Sequence, residues 1–238
     1  MIKTTLSKKF YNKLYLKKGV NAQRKYPNEE LSRFMGRNLF WIPQEKRKKI
    51  KVLETGCGSG GNIGMIAKEG FEAHGIDNSQ NAIDVCKKNL KSQNLNAKLR
   101  VLDMQNLNYK KNSIDIVVDI FSSCCLDQSG GLNYLKEVKK ILKKDGIFFS
   151  YFPSKKSDTW LKEKSKKNKI DNFTLKGIFR KSAPYYGNNY SLRFLSSKEY
   201  VKMLKNLKFK IKYLETTSRT YRSQKEYFEF IIVEARKV

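Results

Sequence analysis

Val52-Leu53-Glu54-Thr55-Gly56-Cys57-Gly58-Ser59-Gly60-Gly61 is the stretch on which the reading of the whole chain turns. An apolar run enters a loop with glycine at every second position, and a helical pattern follows. Glycine lets the backbone turn sharply and leaves no Cβ where a ligand must come close. Two patterns fit. Gly56, Gly58 and Gly61 satisfy the dinucleotide fingerprint, while Glu54 with Gly56, Gly58 and Gly60 makes an acid-x-G-x-G-x-G loop. A carboxylate at the mouth of such a loop repels a pyrophosphate and suits a ligand that carries positive charge.

Downstream, Phe71 to Asp77 reads as a second strand, with Asp77 at its end, 21 residues after Gly56. In mononucleotide-binding folds an acid at about that distance accepts hydrogen bonds from ribose hydroxyls. Ser79 caps a helix whose Ala82, Cys86 and Leu90 share a face. A third strand, Ala97 to Leu102, ends at Asp103-Met104. Residues 114 to 121 form a near-continuous apolar run, as a parallel strand covered on both faces requires. A helix from Gly131 to Lys144 stops at Asp145-Gly146, and Ile147 to Tyr151 is the fifth strand. Regularity is then lost from Pro153 to about Arg193, a stretch both lysine-rich and aromatic. A helix after Ser196 or Ser197 and two strands, Phe209 to Thr216 and Tyr227 to Glu234, close the chain. The single histidine, His74, falls inside the second strand and reads as a packed residue.

These motifs, in this order, resemble the class I S-adenosylmethionine (SAM)-dependent methyltransferases, of the small-molecule type. The resemblance covers roughly residues 47 to 238. It implies an α/β, Rossmann-like, doubly wound sheet of seven strands, mostly parallel with an antiparallel last strand, and helices on both faces. Residues 1–45, with their Tyr26-Pro27-Asn28-Glu29-Glu30 run, resemble the N-terminal helical cap of such enzymes; 46–238 would be the core, and 153–193 a substrate lid over the strand ends. Tyr11, Leu14, Tyr15 and Leu16 are expected on one side of a first helix, and Leu31, Phe34, Met35 and Leu39 on one side of a second. Whether the cap aromatics touch substrate or only pack is open, and the lid reading stands beside that of a solvated insertion.

The resemblance also implies SAM as cofactor and S-adenosylhomocysteine as product, with Glu54, Gly56, Cys57, Gly58, Gly60, Asp77, Asn78, Asp103 and Met104 as the cofactor-binding residues. Tyr26, Ser122, Cys124 and Tyr151 are candidates for acceptor contact. Many relatives carry Glu-His or His-His where this chain has Cys124-Cys125, so no histidine base is supplied there. Asp119 and Asp127 are the nearest carboxylates for that role. Positioning alone can lower such a barrier by roughly 7–11 kcal/mol, so a dedicated base is not required.

Composition bounds the remainder. The 238 residues suffice for one well-buried core. The net charge of +28 comes mostly from lysine, 40 against 10 arginines, spread through nearly every segment. Arginine, which reads phosphates and bases bidentately, is scarce. The four cysteines have neither C-x-x-C nor zinc spacing, so a reduced, cytoplasmic, metal-free protein is expected. No run has the length of a membrane span, and the N-terminal stretch lacks the apolar segment of a leader. The expected acceptor is a small metabolite, of anionic sugar or nucleotide-sugar type. RNA methylation and non-catalytic SAM binding are the alternatives.

Overall fold

Apolar runs alternating with amphipathic helices build a parallel sheet, because each strand must be covered on both faces. A computed structural model describes residues 6–238; the first five residues, part of the stretch read for a leader, lie outside it. Five strands come first: β1 (Lys51–Thr55), β2 (Glu72–Asp77), β3 (Lys98–Val101), β4 (Ile114–Ile120) and β5 (Leu142–Pro153). After the short β6 (Thr174–Leu175) and β7 (Leu192–Arg193) come the long β8 (Phe209–Tyr221) and β9 (Glu226–Lys237). The main sheet has seven strands in the order β3-β2-β1-β4-β5-β9-β8. Its first five are parallel, and β9 enters antiparallel to β5, with Phe148 opposite Ala235. The antiparallel closure expected from the sequence is present.

Among the described residues eight α-helices accompany the strands: α1 (Leu6–Lys18), α2 (Glu29–Asn38), α3 (Gln44–Arg47), α4 (Gly61–Lys68), α5 (Gln80–Ser92), α6 (Gln128–Ile141), α7 (Asp158–Glu163) and α8 (Ser197–Asn206). Successive strand residues point to opposite faces, so β5 reveals the layers. Phe149 stacks on Phe34 of α2, with ring centroids 4.5 Å apart. On the other face Phe148 meets Tyr134 of α6, while Tyr200 of α8 packs on Phe152 and donates to Ser150 Oγ at 2.7 Å. Among the described residues no helix is long and apolar enough to cross a membrane.

Four local expectations are revised. Leu16 is 78% exposed and leaves the face that Tyr11, Leu14 and Tyr15 share, because the next residue along a helix turns by about 100°. Helix α6 begins at Gln128 rather than Gly131, since Asp127 caps it by accepting from Gly130 N at 2.8 Å; it yields to β5 at Leu142, and Asp145 takes a φ of +61°. The hairpin strands run longer than expected, and their turn holds Arg222, Ser223 and Gln224 at positive φ. Residues 153–193 are not irregular throughout. They carry α7 and the β6–β7 pair, and they bury Trp160, Leu175, Ile178 and Leu192 in the core.

Candidate active site at the carboxyl ends of the strands

The exits of β1 to β4 converge on one side of the sheet, the edge where ligands bind in open α/β folds. The loop after β1 needs its glycines. Gly56, Gly58 and Gly60 all have positive φ, and a Cβ on them would lie 1.7 Å from Ser122 Oγ, 2.4 Å from the Tyr15 hydroxyl and 2.7 Å from Cys86 Sγ, respectively. The β4 exit, α1 and α5 thus close on the loop from three sides.

Two adjoining cavities result, with Tyr11, Gln23, Gly56, Ile120 and Phe121 as shared walls. The first is lined by Asp77, Asn78, Asp103, Met104, Ser122 and Cys125; the second by Glu54, Cys57, Gly58, Arg24, Tyr26, Tyr185 and Tyr190, among others. Of the residues singled out in the sequence, only Gly60, Cys124, Tyr151, Asp119 and Asp127 line neither.

Glu54 is buried. Its Oε1 accepts from Asn62 Nδ2 at 2.6 Å, whereas Oε2 has no hydrogen-bond partner. Burial pushes its pKa up to about 8, against the Asn62 hydrogen bond that pulls it down. Asp77 is held by Gly58 N to Oδ2 at 3.1 Å and by Ser79 N to Oδ1 at 2.9 Å. Burial raises its pKa, and these backbone donors oppose the shift. Each carboxylate oxygen keeps a second lone pair for a ligand hydroxyl. Asp103 accepts from Gln105 N at 2.9 Å and sits with Met104, Leu102 and Leu126 at the far end of the first cavity. An orphaned buried carboxylate oxygen, a glycine-rich loop and a second acid fit a ligand with an ammonium, a sulfonium, a ribose and an adenine.

The two carboxylates named as base candidates serve the backbone. Asp119 is fully buried and accepts from Ser122 N, Ser123 N and Ser123 Oγ, at 3.2, 2.9 and 2.5 Å, so it anchors the turn that leaves β4. Asp127 is the α6 cap. Cys124 lies beneath the surface; its neighbour Cys125 reaches the cavity instead. Tyr151 is buried against Phe230, rings 4.4 Å apart.

Residues not singled out for the site complete it. Tyr11 and Tyr190 join hydroxyls at 2.7 Å between α1 and the 183–190 segment. Phe121 and Tyr185 both adopt positive φ, uncommon for aromatic residues, and stack on each other with centroids 5.0 Å apart. The lysines of residues 155–169 do not line either cavity. Lys155 pairs with Glu199, Lys162 with Asp158, and Lys169 lies over Trp160. The cationic side chains on the cavity wall are Lys18 and Arg24.

Fold and site together define a class of protein. Residues 52–146 match the family model of a methyltransferase domain. The chain is 31% identical over 103 residues to the ubiquinone biosynthesis O-methyltransferase of Pelagibacter ubique, a match covering 43% of this chain and 41% of that protein. The matched stretch thus spans about two fifths of the curated relative. A SAM-dependent methyltransferase from Methanosarcina mazei superposes with a TM-score of 0.68 at 21% identity, over 80% of this chain and 93% of that one. One from Clostridium acetobutylicum gives 0.62 at 17% identity, over 94% and 98%. The chain thus carries a methyltransferase-domain match over residues 52–146 and shares its fold with SAM-dependent methyltransferases.

Proposed function

We propose that this protein transfers the methyl group of SAM to a small-molecule acceptor by in-line displacement. The observation that carries the reading is the buried, unpartnered Glu54 oxygen beside the glycine loop, with Asp77 lining the adjoining first cavity. SAM brings a methyl group already activated by its sulfonium. The chain has to hold the two reactants in line and exclude water, and this alone can supply roughly 7–11 kcal/mol. Glu54 faces the ammonium, Asp77 and Asn78 the ribose, and Asp103 with Met104 the adenine. Gly56 gives close approach where the two cavities meet.

The acceptor occupies the second cavity, under residues 183–190 acting as a lid. Its aromatic lining, with Phe10, Phe121, Tyr185 and Tyr190, offers faces to a flat molecule. Lys18 and Arg24 favour negative charge on it. An anionic sugar or nucleotide sugar keeps that support, but sugar hydroxyls want carboxylates and amides, and of the second cavity's amides Asn62 holds Glu54 and Asn188 holds Tyr190, leaving Gln23. A flat anionic acceptor therefore stands first, and RNA gains no support from the lysines of 155–169, which turn elsewhere. We place the protein in the cytoplasm.

Calorimetry with SAM and S-adenosylhomocysteine tests the cofactor assignment, and no heat from either would sink it. Asp77→Ala is expected to weaken binding by roughly 1–3 kcal/mol, the scale of a lost charge-assisted hydrogen bond. Radiolabelled SAM offered with fractionated metabolites and RNA then identifies the acceptor; label in the RNA fraction alone would overturn the small-molecule reading.

A further inference from the structure

Counting protons at one corner of the second cavity narrows the acceptor further, on the footing of the function proposed above. Tyr11 Oη lies 2.7 Å from Tyr190 Oη, and Asn188 Nδ2 donates to Tyr190 Oη at 2.8 Å. Each phenol carries one proton. Whichever hydroxyl donates to the other, one O–H is left without an acceptor among the described residues. Both rings line the second cavity, and Tyr11 also lines the wall shared with the first, where the methyl group must pass. The surplus donor therefore belongs to the wall of the cavity assigned above to the acceptor.

The carboxylate that lines the second cavity, Glu54, is assigned above to the cofactor ammonium, and Asp77 and Asp103 line the first cavity, which leaves none for the acceptor. The titratable and charged groups facing the tyrosine pair are Cys124, Cys125 and Tyr185, and the same cavity wall carries Lys18 and Arg24. Burial, first among the causes, holds both phenols well above their ordinary pKa, which makes them donors rather than bases at neutral pH. A site with donors, cations and no base stabilises an anion and cannot create one.

We propose that Tyr11 and Tyr190 bind the acceptor through this surplus hydroxyl, and that the site takes an acceptor whose oxygen is ionised before it enters: the anion of an acidic phenol or enol. That oxygen forms the C–O bond as the C–S bond breaks. The bonding pair stays on sulfur, and no proton has to leave the cavity. The stacked pair Phe121–Tyr185 supplies a flat wall for the ring of such an acceptor.

The test uses the full chain and a series of phenols graded in acidity up to p-nitrophenol, with aliphatic alcohols and amines for comparison. With S-adenosylhomocysteine bound, p-nitrophenol is expected to bind as its coloured anion, its ionisation moving to lower pH than in buffer. The double variant Tyr11→Phe/Tyr190→Phe keeps both rings, removes both phenol protons and is expected to lower that affinity about tenfold, the scale of one hydrogen bond to a charged group, while affinity for S-adenosylhomocysteine holds. With SAM, the pH dependence of transfer across the series follows each phenol's own ionisation. Preferential binding of the neutral phenol, equal affinity in the double variant, transfer confined to amines or neutral alcohols, or no phenol bound while S-adenosylhomocysteine binds would each overturn the proposal. Failure of S-adenosylhomocysteine itself to bind would instead remove the cofactor assignment, and the proposal with it.

Discussion

Glu54 sets a conflict between stability and binding that a titration can expose. Its carboxyl titrates near 8 in the folded chain and near 4.5 when unfolded. Between those values the unfolded chain gives up a proton that the ligand-free fold keeps. That fold therefore loses stability as pH rises through the window, by up to ~1.4 kcal/mol per pH unit, and levels off above pH 8. Glu54→Gln is expected to remove this slope, so urea midpoints at pH 5, 7 and 9 should diverge from the parent in the variant's favour. The same substitution is expected to weaken SAM binding by roughly 1.5–3 kcal/mol, since an amide offers no charge to the ammonium. Parallel slopes would show that Glu54 does not titrate as described. Glu54, the glycines and Asp77 were legible because one short loop and a fixed spacing carry them. Tyr11 and Tyr190 were not: they meet across 179 positions, and only the folded chain brings them together.

Among the elements, α6 shows how a distant side chain can override local pattern. Gly130-Gly131 reads as a helix start, yet the helix begins earlier, and Gly131 is needed for another reason. A Cβ there would lie 1.3 Å from Arg193 Nη1. Arg193 is 2% exposed; it reaches in from β7, lies over Phe152, and donates to the carbonyls of Asp127 and Ser123 at 3.3 and 3.4 Å. Those carbonyls belong to the turn that carries Ser122 and Cys125 into the first cavity. Gly131→Ala is expected to lower stability by about 1–3 kcal/mol, the usual cost of overpacking, read as a drop in melting temperature. An unchanged melting temperature would mean that Arg193 has room to move. The strands, by contrast, were legible almost to the residue through β4, because buried parallel strands leave unbroken apolar runs. Residues 153–193 were hidden because their apolar residues are too sparse to show a period, and their order comes from packing on β5 and β9.

For the whole molecule, the seven-stranded, mostly parallel sheet and its antiparallel closure followed from the resemblance carried by the motifs, whereas the placement of +28 charges did not. Composition gives a total and says nothing of which lysines find partners. The roof over the glycine loop carries the last consequence. The Tyr15 hydroxyl sits where a Gly58 Cβ would be, Asn81 Nδ2 donates to the Asn12 carbonyl at 3.0 Å, and the carbonyls of Arg24 and Tyr26 lie against Gly61. A cofactor seated beneath these groups is expected to leave past α1. Turnover is then expected to be paced by departure of the spent cofactor rather than by the chemical step. Rapid mixing should give a burst of methylated product followed by a slower steady rate, and Tyr15→Ala should shorten the residence time of S-adenosylhomocysteine. A linear first turnover would assign the slow step to the chemistry instead.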